Sequence, residues 1–312
     1  MLNEFLHRDV DVREALRRDI RRILYIAAWV MAAIGVRMEM QLAGRQRAIG
    51  VDSHAYWSAF SGPLYTSGPM VEDSYLYSPV FAQAVWPIAQ LPWPIFAAVV
   101  SIADVATIVW LLKPLGWRWA VPLTLASTPE ICSGNIFILL GAVAVAGSHV
   151  PGAWSLSVLT KVTPTMGPVW WVVRREWRPL LVFAATTAAI ALPSVVARPD
   201  LWHQWLTLLV RHSPDSQMAL GSSGAPPLMY RLPAGIAMTV WGAKTNRRWT
   251  IPVAMVLSAP VFWYGTYTML AGIPRTMRRG ATSPRRAPSP CPTSTTAACE
   301  RSGGLHHSRD RA

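Results

Sequence analysis

Residues Val51–Pro79 read VDSHAYWSAFSGPLYTSGPMVEDSYLYSP. The stretch is polar, rich in aromatic and turn residues, and too irregular to cross a bilayer. Long apolar runs flank it on both sides. Asp52, Glu72 and Asp73 lie in it, close in sequence to Tyr56, Trp57 and Tyr65. Such rings collect where water meets lipid. The stretch reads as a loop at a membrane boundary that offers a polar site, with Asp52 its most informative residue. An Asp after a Gly-Val step also serves to cap a loop helix, and Glu72 and Asp73 are better explained as solvated loop residues.

Composition supports the membrane reading. The chain is 52% hydrophobic and 14% charged, against roughly 25% charged in soluble domains. In a soluble protein a net charge of +13 would suggest nucleic acid. Here the basic residues sort by position. The segment from Arg275 onward carries +6, from eight Arg against Glu300 and Asp310. Much of the rest clusters beside apolar runs, the mark of cytoplasmic loops, which excludes a nucleic-acid partner. Cys132, Cys291 and Cys299 show neither metal spacing nor a disulfide framework.

Working outward, residues 1–22 form a cytoplasmic amphipathic segment, with Leu6, Val10, Leu16 and Ile20 near helical spacing. Arg17, Arg18, Arg21 and Arg22 precede a first span near Ile23–Met38 and place the N-terminus inside. The first external loop runs over about 39–93, and in it Pro79–Leu91 is a juxtamembrane or re-entrant helix, too short to span. Further crossings follow at Pro94–Leu112, Trp119–Ile131 and Phe137–His149, the last two joined by an external turn around Glu130 and Asn135. Trp154–Lys161 and Pro164–Val173 make a broken hairpin with its tip at Lys161. Pro179–Val196 leads to a second external loop, about 198–230, and Arg231–Trp241 and Trp249–Ile273 complete the membrane domain. The fold class is all-α, a polytopic transmembrane helical bundle with about nine crossings. Residues 274–312 are rich in Pro, Ser, Thr and Arg and read as a disordered tail. The count puts this basic tail outside, against the charge rule, so either a span is miscounted or the tail is a replaced or frameshifted ending.

Four features converge on the outer face: the Asp52 loop, the Glu130/Gly134-Asn135 turn, the Lys161–Pro164 tip and the His203–Tyr230 loop. A carboxylate takes a proton from an attacking hydroxyl, and a lysine beside it stabilises a phosphate leaving group. Asp104, mid-span, is either functional or bonded to Ser101, Thr107 or a neighbouring helix, the structural role being favoured. Tyr56 and Trp57 suit sugar stacking and interfacial anchoring alike.

The ordered set of motifs carries a resemblance. It runs from Asp52, His54, Tyr56 and Trp57 through Tyr75, Tyr77, Ser78 and Pro79 to Gly134-Asn135-Ile136. It closes with Leu159–Pro164 around Lys161 and with the Arg174–Arg178 cluster. Over roughly Ala27 to Trp205 this order resembles the polyprenyl-phosphate-mannose-dependent mannosyltransferases, glycosyltransferase family 87, of the GT-C fold. Actinobacterial members are common there, and the use of Arg and Ala over Lys fits a GC-rich genome. The resemblance implies inverting transfer of mannose from a polyprenyl-phosphate donor to a lipid-linked or cell-envelope glycan acceptor at the plasma membrane. It implies Asp52 as general base and Lys161 near the donor phosphate. His54, Tyr56, Asn135, His203 and Arg211 become candidate substrate-binding residues, with His212 beside them. It implies no cofactor and does not strongly imply a metal. Two other classes fit the pattern: a transporter or lipid flippase, using Asp104 and the broken helix at Lys161, and an inactive, shortened relative of the transferases.

Overall fold

The computed structural model describes residues 2–43, 49–68, 71, 73–218 and 224–280. Every regular element in them is helical. Helix α1 (Leu2–Ala43) is one unbroken helix, so the expected amphipathic segment and first span are a single element. Its Glu14–Gln41 portion is long and apolar enough to cross a membrane. The same holds for α4 (Trp93–Leu112) with its 3-10 extension to Leu115, and for α10 (Trp177–Ala197).

Among the described residues three helices meet that requirement, where the sequence predicts about nine crossings. Of the other apolar runs, some are short and some are divided. Helices α5 (Trp117–Ala126) and α6 (Thr128–Ser133) part at Ser127. Pro129 favours that break, because it has no N–H to donate and its ring clashes with the carbonyl four residues back, so it fits in the first turn of α6 and not inside a continuous helix. The expected single span at Trp249–Ile273 ends early for a similar reason: α13 (Thr250–Leu257) stops ahead of Pro260, and the chain resumes as a 3-10 helix over Tyr264–Gly272. Helix α14 (Ile273–Gly280) then covers the first residues of the segment read as a tail. The rest of that tail, and Glu72, lie outside the described residues.

The expected broken hairpin is present, as α8 (Trp154–Thr160) and α9 (Gly167–Arg174). Trp154, 1% exposed, packs where a Cβ at Gly147 or Gly167 would stand, so its indole locks the hairpin against α7 (Phe137–Ala146). The second expected external loop is largely a helix, α11 (Pro199–Met218). Pro199 opens it and Asp200 complements its N-terminal dipole. Helix α12 (Leu228–Thr245) follows.

The main core joins Tyr56, Tyr77, Phe96, Phe137, Trp154 and Met255. The outer faces of the three long helices stay apolar and uncovered, for example Ile23 and Leu24, Ile102 and Val109, Leu181 and Val196. Only 6% of the most apolar window of α10 is buried. Faces of that size on a monomer indicate a lipid or protein neighbour, and the lengths of these helices match lipid.

Candidate functional site

The segment around Asp52 is anchored before it turns helical. Gly50, at φ 80, donates its N–H to the Cys132 carbonyl at 2.6 Å. Helix α2 (Val51–Trp57) starts there, with Asp52 in its first turn. The α6–α7 turn packs against it. Gly134 has φ 67, and a Cβ there would stand 2.7 Å from Ser53. Only glycine allows both that backbone and that approach. The turn therefore brings the Ser133 and Asn135 side chains within hydrogen-bonding reach of the Asp52 carboxylate.

Asn135 links Asp52 to Lys161. Its Oδ1 accepts from Lys161 Nζ at 3.2 Å and from the Ile136 N–H at 2.7 Å. The ammonium also lies 3.8 Å from the centroid of the Phe137 ring, a cation–π arrangement. Burial raises the Asp52 carboxyl above its ordinary value, opposed by the Lys161 charge and the bonds from Asn135 and Ser133. Burial lowers Lys161, opposed by the charges of Asp52 and Glu130. Asp52 thus has the character of a base, and Lys161 that of a cation whose ammonium has donors to spare.

Beside Lys161 opens a cavity of about 160 Å³ with mostly apolar walls, including Leu76, Tyr77, Thr163, Trp205 and Leu208. The Thr163 hydroxyl oxygen in its wall is buried and has no hydrogen-bond partner among the described residues. A cation and an unused hydroxyl at the mouth of an apolar pocket suit a phosphate that carries a hydrocarbon chain.

The candidate residues divide accordingly. Asp52, Asn135 and Lys161 come together. Tyr56 is 5% exposed, and its ring packs edge-on to Tyr77 and Phe81 with its hydroxyl on Tyr77 Oη at 2.9 Å. It walls the site and does not present an open stacking face. His54 turns to Asp73, with Nδ1 and Oδ1 2.6 Å apart, and sits between Trp57 and Trp93. His203 and Arg211 are exposed on α11, and the side chain of His212 lies outside the described residues. The α11 face that reaches Lys161 is apolar, Trp205 and Leu208 with Leu209. Their spacing, with Leu201, is helical, a signal obscured by treating the segment as a loop.

Two carboxyls that the sequence places in the external turn and mid-span, Glu130 and Asp104, are buried. Glu130 is 0% exposed and Asp104 1%. Ser101 and Thr107, possible partners for Asp104, donate instead to the Ile131 and Ala103 carbonyls. Among the described residues no three His, Cys, Asp or Glu side chains converge closely enough to hold a metal ion.

The sequence model of glycosyltransferase family 87 matches residues 75–283. The chain belongs to this family. The match is with a family of glycosyltransferases, so the chain is a membrane glycosyltransferase that takes a sugar donor and a glycan acceptor. It covers Glu130, Asn135 and Lys161 and begins after Asp52, whose part in the site rests on geometry. No curated protein and no solved structure matches the chain.

Proposed function

We propose that this glycosyltransferase moves mannose from a polyprenyl-phosphate donor to a lipid-linked or cell-envelope glycan, with inversion, and that Asp52 is the general base. The observation that carries the reading is that Asn135 joins Asp52 to Lys161, and that Lys161 lines an apolar cavity. The donor phosphate sits against Lys161 and the Thr163 hydroxyl, and the first prenyl units lie along Trp205 and Leu208. An acceptor hydroxyl attacks the anomeric carbon from the face opposite the phosphate. Its proton passes to Asp52 as the new glycosidic bond forms. The anomeric C–O bond breaks, its electron pair stays on the phosphate oxygen, and Lys161 balances that charge. One displacement inverts the anomeric centre.

The basic clusters at Arg17–Arg22, Arg174–Arg178 and Lys244–Arg248, read by the positive-inside rule, support an outward-facing site at the plasma membrane. The test is transfer from labelled polyprenyl-phosphate mannose in membranes carrying the full chain. Wild type forms a labelled glycolipid and Asp52→Asn does not. Equal transfer by the two would remove the base assignment. Uptake of a solute into proteoliposomes with no glycosyl product would replace the whole reading with transport.

A further inference from the structure

A second apolar cavity lies where α1, α4, α5 and the 3-10 helix over Tyr264–Gly272 meet. Its volume is about 320 Å³, against about 160 Å³ beside Lys161, and no residue lines both. Ile108 and Leu112 are buried at its floor, while Met31, Leu115 and Tyr267 are exposed at its rim. From Ile108 to Leu115 its wall follows roughly 10 Å of the α4 axis. The polar groups inside are already used. Ser127 Oγ donates to the Leu123 carbonyl at 2.9 Å, the Thr268 hydroxyl to the Gly265 carbonyl at 2.7 Å and the Tyr264 hydroxyl to the Met31 carbonyl at 3.2 Å. Walls whose donors are taken select an apolar occupant.

One end of the cavity is basic. Leu115 and Pro274 line that end, and α14 packs there against α4 and its 3-10 extension. Pro114 has no N–H to give the Trp110 carbonyl, and Arg275 Nε supplies a donor at 2.7 Å, with the guanidinium 4.0 Å from the centroid of the Trp110 ring. That holds the Arg275 charge at the C-terminal end of α4. Lys113 and Arg118 are exposed on either side of the following turn, and Lys113 is in no ion pair among the described residues. By the positive-inside rule this end faces the cytoplasmic leaflet, where anionic lipid is concentrated. A helix, about 10 Å across with its side chains, is too wide to enter. Residues 281–312 hold one Leu and no Ile, Val, Met, Phe, Trp or Tyr, so they are poorly suited to fill it. We propose that this cavity binds one acyl chain of an anionic phospholipid, whose head group meets Lys113 and Arg275.

The test uses the full chain in phosphatidylcholine nanodiscs, doped with either phosphatidylglycerol or phosphatidylcholine that carries a diazirine midway along one acyl chain. Cross-linked peptides are read by mass spectrometry. The phosphatidylglycerol probe labels peptides holding Met31, Leu123 or Tyr267 about tenfold more than the phosphatidylcholine probe does. Leu181, on the uncovered face of α10, labels equally with both. Lys113→Gln lowers the preference to about twofold. Ala271→Phe fills the cavity and removes its labelling while Leu181 still reacts. Where Ala271→Phe does not accumulate as folded protein, wild type and Lys113→Gln decide between the probes. Equal labelling by the two probes, or cavity labelling that survives Ala271→Phe, overturns the proposal in favour of ordinary contact with bulk lipid. Cross-links from Met31 or Tyr267 to a second copy of the chain, in place of lipid adducts, overturn it in favour of an interface. Labelling is read without sugar transfer, so either result is independent of the chemistry at Asp52.

Discussion

Residues 51–79 and 198–230 look alike in the sequence. Both are polar, and both interrupt an apolar chain. In the structure they do different work. The first folds a seven-residue helix whose opening turn holds Asp52 against the Ser133–Asn135 turn. The second is mainly a helix of 20 residues whose site-facing side is Trp205, Leu208 and Leu209, with His203 and Arg211 exposed. Polarity shows that a segment does not span. It does not show which face of that segment a site uses. Under the proposed mechanism the first region would carry the chemistry and the second would hold the donor's lipid.

Substitutions in the first region should strike turnover. The largest effect is expected of Asp52→Asn, a loss of transfer of roughly 10²–10⁴-fold, the usual scale for a general base. If the rate in membranes drops by less than tenfold, the contrast between the regions fails. Lys161→Met comes next, about 10²-fold or more in kcat if the lysine meets charge developing on the leaving phosphate. An effect on donor KM alone would instead assign it to ground-state binding.

The pH dependence sharpens the first region further. Asp52 works as the carboxylate, and burial raises its pKa above the ordinary 3.8. Protonation removes the base, so activity falls as pH drops through that raised value. A kcat profile from pH 4 to 8 should show an acidic limb above the position of an ordinary aspartate. A flat profile down to pH 4 would contradict the burial.

The second region should answer mainly in KM. Trp205→Ala removes apolar wall from the cavity and should weaken the donor by about 1–2 kcal/mol, read as a rise of roughly tenfold in donor KM with kcat little changed. His203→Ala and Arg211→Ala should be nearly silent, each within about twofold of wild type, because surface changes away from a site typically cost little. A large loss in either would restore the exposed face of α11 to the site.

Much of the site was legible because its chemistry is local and ordered. Asp52, Asn135 and Lys161 belong to short motifs, and each motif survives as a helix start or a turn. Glu130 was legible as a residue of the turn, but its complete burial was not. Its neighbours Asp52, Asp104 and Lys161 come from three other elements, and nothing local distinguishes it from a turn carboxylate. The same holds for Tyr56, whose ring reads as a sugar platform until the packing of Tyr77 and Phe81 closes over it.

Composition and charge order determined that this chain is a helical membrane protein with a polar site between apolar runs, because the bilayer admits few solutions for backbone hydrogen bonds. The motif order from Asp52 to Pro164 pointed to the glycosyltransferase family. Tertiary structure decided which runs remain whole, since Pro129 and Pro260 act within particular local contexts. It also decided which side chains meet. The gap beside Ser53 that only Gly134 fills brings Asn135 to Asp52 and, through Asn135, Lys161, and no spacing along the chain encodes that approach.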